Sequence, residues 1–228
     1  MQSISHILQE HSKFEKVIMG SRPYRRLDFS EKTPALLSLD LSDTSVFSAY
    51  VFQELLLENT YTGIGGYAEN RVIYRQRGHF MSGEGNSRSI HLGTDIWTDA
   101  GEPIYAPLAG KIHSFAFNDH FGDYGPTIIL SHNLHGLEFF TLYGHLSLAS
   151  LDNLYPGKII AGGENFASIG SYPENGDWPP HLHFQVIKDI GNYSGDFPGV
   201  SSIQDSAHYL SICPDPNLIL RIPGNERF

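Results

Sequence analysis

The sequence predicts a mainly β protein: an antiparallel β domain with a mixed, partly helical N-terminal extension. Three observations predict it. The chain is rich in turn formers, with 23 Gly and 13 Pro, and in aromatic residues, with 12 Tyr and 14 Phe, a mixture that favours strands over a helical bundle. From about residue 70 onward, short β-branched or aromatic runs are separated by Gly, Pro, Asn and Asp. No helical pattern lies between successive runs, which points to an antiparallel meander rather than a βαβ sheet. The expected division is an extension at 1–85, a β domain at 86–190 and a tail at 191–228 packed on that domain.

Residues 3–19 place Ile4, Ile7, Leu8, Phe14, Val17 and Ile18 on one helical face, with Ser3 as a cap and Gly20 as a stop. A second helix is expected over 44–58, after Asp43, and TGIGGY at 62–67 reads as a loop. Strands are expected at 72–75, 103–106, 110–117, 126–132, 137–143, 158–160, 166–169 and 182–188. The end of the chain, from SICPDPNLIL onward, is expected to be irregular and packed across the body.

With 15 Lys and Arg against 25 Asp and Glu, the formal charge is −10, so nucleic acids and anionic membrane surfaces are not expected partners. Solubility alone accounts for such acidity. The single cysteine, Cys213, rules out an intrachain disulfide and a thiolate zinc site. No stretch approaches the ~18 apolar residues of a membrane span. The N-terminus has no basic region followed by an apolar run and reads as an amphipathic helix rather than a secretory signal. The expected compartment is therefore the cytoplasm, unless an export signal has been removed.

Twelve histidines include three local patterns: His91-Leu-Gly-Thr-Asp95, Tyr143-Gly-His145-Leu-Ser147 and Pro180-His181-Leu-His183. Each alone is near chance; their joint geometry carries the argument. His181 and His183 lie in a run that reads as a strand, so their side chains leave the same face roughly 6–7 Å apart. Two buried imidazoles need hydrogen-bond partners, and a metal with its water satisfies both. His91 and Asp95 would stand ~13 Å apart on a straight strand, but Gly93 lets the chain bend so that they converge. Two histidines and a carboxylate leave a fourth position for water, the pattern of catalytic rather than structural zinc.

HLGTDIW, GEPIYAPLAGKI, YGPTIILSH, FFTLYGHLS, PGKIIAGGENFASIG and PPHLHFQV occur in this order. Residues 88–188 thereby resemble the LytM/lysostaphin-type (M23) metallopeptidases. The resemblance implies a small antiparallel β domain with a substrate groove over one Zn²⁺ ion. It implies His91, Asp95 and His183 as zinc ligands and His145 and His181 as catalytic histidines. It also implies metal-assisted hydrolysis of a peptide bond, in a peptidoglycan cross-bridge or stem peptide or in a related small peptide. LDLSDTS, GIGGYAENRVIY, GDWPPHLHFQV, GDFPGV and CPDPNLIL extend a narrower resemblance over nearly the whole chain. That one is to M23-type domains fused to a kinase-like domain and a class III aminotransferase. It favours a soluble peptide-like substrate over intact wall.

Two other classes compete. PIYAPLAGKI and PGKIIAGG look like the half-motifs of lipoyl and biotinyl carriers, but no modifiable lysine lies between them. A zinc-bound, non-catalytic scaffold or binding module of the same fold is the remaining alternative, and scaffolds of this kind usually lose ligands that this sequence keeps. Ser-hydrolase, P-loop and Rossmann fingerprints are absent.

Overall fold

The computed structural model describes residues 3–75, 80 and 87–223. The boundary expected between 85 and 86 lies outside them.

The protein is mainly β, as the residue pattern predicts. Among the described residues, twelve strands run in chain order: β1 Tyr24–Leu27, β2 Thr62–Gly65, β3 Arg88–His91, β4 Thr94–Trp97, β5 Pro103–Tyr105, β6 Gly110–Asn118, β7 Gly125–Leu134, β8 Leu137–Gly144, β9 Ile159–Ile160, β10 Asn165–Ser168, β11 His181–Ile187 and β12 Val200–Ser202. Eight form one sheet in the order β1-β2-β4-β11-β8-β7-β6-β9, and two small sheets pair β10 with β5 and β12 with β3. Every pairing is antiparallel except β1 with β2.

Register places the chemistry. In the centre of the sheet His183 pairs with Asp95 and with Gly144, and His181 pairs with Trp97. Paired residues share a face, so Asp95, Trp97, His181 and His183 all point to one side. The alternate residues, Ile64, Ile96, Leu182 and Phe184, point to the other and enter the main core. Two further apolar clusters flank the polar face. One is built around Phe29, Phe47, Trp97 and Trp178, the other around Leu92, Tyr124, Phe197 and Cys213.

Several expected elements are different. The first helix is only Ile4–Glu10 (α1), capped by Ser3 as expected. Beyond it, Glu15 and Val17 bond to the backbone of Pro107 and Tyr105, and Arg221 binds the carbonyls of His11 and Ser12. These tertiary bonds outcompete helix continuation to residue 19. The second helix (α2, Thr44–Ala49), capped by Asp43, widens into π-type turns over Tyr50–Leu55 and stops before 58; Leu57, Glu58 and Asn59 all have positive φ. TGIGGY is not wholly a loop, because its first four residues are the buried strand β2. Residues 72–75 form turns rather than a strand, with the Arg75 amide donating to the Val72 carbonyl. The tail is partly helical, with α3 at Ser206–Ile212 and α4 at Asn217–Leu220.

Phe47 ties the first part of the chain to the polar face. It is fully buried and meets Phe29, Trp97 and Trp178 at ring-centroid distances of 5.8, 5.9 and 6.3 Å. Phe47→Ala should destabilise the protein by about 3–5 kcal/mol through lost burial and a cavity, read as a lowered urea midpoint. Little change would mean that this cluster collapses without strain.

His132 on β7 supplies a pH dependence. Burial lowers its pKa to about 4, whereas in the unfolded chain it titrates near 6.5. Between these values the unfolded chain binds the extra proton, so stability is complete above about pH 6.5 and falls as pH drops toward 4. The His132 share of that loss is about 2 kcal/mol by pH 5. Urea titrations at pH 7 and pH 5 should show a smaller difference for His132→Gln than for the wild type. An equal difference would place the acid sensitivity elsewhere.

Candidate metal centre

Three side chains expected as ligands come together. His91 Nε2 lies 3.0 Å from His183 Nδ1 and 3.2 Å from Asp95 Oδ1, and His183 Nδ1 lies 3.1 Å from the same oxygen. All three residues are buried. His91 ends β3 and Asp95 lies on β4, so a turn at Leu92-Gly93 brings them together. Gly93 matters for a reason other than the expected one. Its φ is not in the left-handed region, but a Cβ there would stand 2.6 Å from the His183 ring. The glycine makes room for the opposing imidazole.

The hydrogen-bond network fixes both tautomers. His91 Nδ1–H donates to the Gly66 carbonyl at 3.0 Å, leaving Nε2 as a bare lone pair. Both hydrogens of the Gln185 amide are used, on the Pro198 carbonyl and on Cys213 Sγ. Gln185 Oε1 must therefore accept, and it accepts from His183 Nε2–H at 2.9 Å. His183 Nδ1 is then also bare. Two lone pairs and a carboxylate oxygen face one another with no hydrogen between them, an arrangement that a cation relieves. Their separations approach the edge of about 3.3 Å expected for a tetrahedron with ~2.0–2.1 Å bonds, and the set of two imidazoles and one carboxylate with no thiolate suits zinc. The residues present fit such an ion.

Electrostatics agree. Burial would raise the Asp95 carboxyl, but the adjoining His91 and Arg71 hold it well below its usual value. Burial, then the Arg71 charge, lowers His91 to about 4. Asp95 and His91 are therefore deprotonated at neutral pH, as metal ligands must be.

His145 and His181 stand beside this triad. His145 follows β8 with φ of 62° and donates from Nδ1 to the Asn175 carbonyl at 2.8 Å. His181 donates from Nδ1 to the Pro179 carbonyl, also at 2.8 Å. Each keeps Nε2 as an acceptor. The two rings are 4.2 Å apart, and Trp97 stacks flat on His181 at 4.0 Å. Burial lowers His181 to about 4, and burial together with His181 puts His145 well below its usual value, so both are neutral at pH 7. Asp95, Trp97, His145, His181 and His183 border a cavity of about 170 Å³, with Tyr74, Phe80, Tyr124 and Trp178 among its walls.

Sequence reasoning missed Gly66, Arg71, Tyr124 and Gln185. Tyr124 places its hydroxyl 3.3 Å from His183 Nε2. Gln185 had a signal, since it continues the alternation of His181 and His183 on β11. Arg71 and Gly66 had none, because their approach depends on how the first part of the chain packs.

Residues 89–194 match the model of Peptidase family M23. The L-Ala--D-Glu endopeptidase of Bacillus subtilis (strain 168) is 28% identical over 133 residues, covering 56% of this chain. The match spans only 39% of that protein's length. Among solved structures, the catalytic domain of the antimicrobial peptidase lysostaphin from Staphylococcus simulans is 26% identical with a TM-score of 0.40, over 62% of this chain and 86% of that one. A zinc-containing peptidase from Vibrio cholerae is also 26% identical, with a TM-score of 0.33, over 47% of this chain and 30% of that one. The matched segment holds the His91-Asp95 pair, His145 and the His181-His183 pair, and residues 89–194 are therefore a peptidase family M23 domain.

Proposed function

We propose that the protein is a zinc-dependent peptidase that hydrolyses a peptide bond, with His91, Asp95 and His183 holding one Zn²⁺ and His145 and His181 handling protons. The observation that carries this is the convergence of three unprotonated donor atoms beside two neutral imidazoles that each keep a free Nε2. Bound zinc supplies Lewis acidity, polarising a carbonyl and lowering the pKa of water. The chain does the rest. A neutral imidazole takes a proton from the attacking water at Nε2 and returns it to the leaving amine. The Asn175 and Pro179 carbonyls fix the ring orientations and stabilise the imidazolium that forms. The Trp97 face adds a cation–π contribution at His181.

The substrate we propose is a short peptide or amide, including a soluble wall-derived fragment, rather than intact peptidoglycan. Tyr74 and Phe80 from before the M23 segment, and Phe197 from after it, wall the cavity, so side chains outside the family segment take up space that a polymer would need. The name of the Bacillus subtilis relative makes the L-Ala–D-Glu bond the first to test.

The test is digestion of L-Ala–D-Glu peptides, Gly-containing peptides, muropeptides and purified walls by the full-length zinc-loaded protein, read by mass spectrometry. Cleavage of short substrates and failure on walls is expected. Efficient clearing of walls would overturn the substrate proposal. Zinc uptake without cleavage of anything in the panel would favour a scaffold.

A further inference from the structure

Residues outside the M23 segment build part of the metal centre. The Ala68 amide donates to the His91 carbonyl at 2.8 Å, the His91 amide to the Glu69 carbonyl at 3.0 Å and the Arg71 amide to the Ser89 carbonyl at 2.9 Å. The Gly66 carbonyl orients the His91 ring. At the end of this strip Arg71 is buried beneath the sheet's polar face, 1% exposed. Its Nη1 donates to Asp95 Oδ2 at 2.5 Å and to the Tyr74 hydroxyl at 3.0 Å, and its Nε donates to Glu69 Oε2 at 2.8 Å. The guanidinium lies against the Phe29 ring, 5.5 Å from its centroid.

Gly65 makes this placement possible. It pairs with Asp95 across β2 and β4 and so shares its face. A Cβ at residue 65 would stand 2.5 Å from Arg71 Nη2. Any side chain there would push the guanidinium off the carboxylate.

Resting on the zinc reading above, we propose that Arg71 is a positioning residue that occupies Oδ2 of Asp95, so that the carboxylate meets the metal through Oδ1 alone. Carboxylates bind metals through one oxygen or both. The Oδ1 atom is the one that faces His91 Nε2 and His183 Nδ1, and the Oδ2 atom is committed to a cation that does not deprotonate. Released from Arg71, Asp95 can close on the ion with both oxygens and occupy space that substrate and water need. A buried ion pair is weak evidence for a stability role, whereas an ion pair to the second oxygen of a ligand sets how that ligand binds.

The test uses the full-length chain with Co²⁺ as the probe. Arg71→Met removes the ion pair, Arg71→Lys keeps the charge without the fork, and Gly65→Ala displaces the guanidinium while retaining it. The wild type should take up one cobalt ion with the strong visible absorption of a four-coordinate site. In Arg71→Met and Gly65→Ala that absorption should fall by about twofold or more as coordination number rises. Cobalt should also raise the melting temperature of Arg71→Met more than that of the wild type, because only the metal then neutralises buried Asp95. Arg71→Lys should fall between. A packing role alone would lower the melting temperature equally with and without metal and leave the spectrum unchanged, which would overturn the proposal. If Arg71→Met does not fold, Gly65→Ala and Arg71→Lys carry the same readouts. Cobalt uptake with wild-type spectra in the folded variants refutes the role of Arg71 alone, whereas no uptake by the wild type refutes the metal reading and this proposal together.

Discussion

His183→Ala is expected to abolish zinc binding and with it peptidase turnover. His183 sits between the other two donors, 3.0 Å from His91 Nε2 and 3.1 Å from Asp95 Oδ1. Without its Nδ1, one imidazole and one carboxylate remain, too few for a three-ligand site. Losing an outer partner of a metal ligand already weakens binding about 10–100-fold, so losing a ligand should exceed that. Lewis-acid stabilisation is worth several kcal/mol, so turnover should fall by about 10³-fold or more. Equilibrium dialysis with metal analysis reads the first effect, and mass spectrometry of peptide digests the second. A variant that kept its zinc with undiminished affinity would show that the ion, if any, binds elsewhere.

His145→Ala and His181→Ala should do the converse, keeping zinc and losing turnover. Neither ring is among the three converging donors, and each is held through Nδ1 by a backbone carbonyl. General acid–base residues typically contribute about 10²–10⁴ in rate, so each single variant should fall by that much. With the rings 4.2 Å apart and acting on one proton path, the double variant should fall by far less than the product of the two singles. Measured zinc content must stay at the wild-type level in all three. Release of zinc by His145→Ala would instead make that histidine a ligand.

How far the sequence foretold these sites depends on the range of the interactions involved. Strands β6, β7, β8 and β11 were legible because each is a run of seven or more residues rich in β-branched and aromatic side chains. Strand β2 was not, because two of its four residues are glycines. Those glycines lack side chains because Leu27 and Arg71 occupy the space where a Cβ would lie, a requirement set by residues distant in sequence. The helix expected over residues 3–19 had the right period, yet its second half is not helical, since backbone bonds to Tyr105 and Pro107 override local preference. The five histidine and aspartate positions were legible through spacing and family resemblance. Their supports were not. The Gly66 carbonyl, the Arg71 guanidinium and the Tyr124 hydroxyl reach the site through packing that no local pattern encodes.

The place of β2 beside β4 has a consequence for handling the protein in solution. In the full chain the outer edge of β4 is covered by Gly63, Ile64 and Gly65, and β2 is in turn covered by β1, whose Tyr24, Arg25 and Arg26 are exposed. The sheet thus ends on arginines that repel a second edge, and at its other side on β9, only two residues long. Short, charged margins of this kind discourage intermolecular strand pairing. A fragment trimmed to the family-matched segment, 89–194, would instead end on Thr-Asp-Ile-Trp, with the backbone of β4, the strand that carries Asp95, open to another molecule. Such a fragment should oligomerise edge to edge more readily than a version that keeps the first 75 residues.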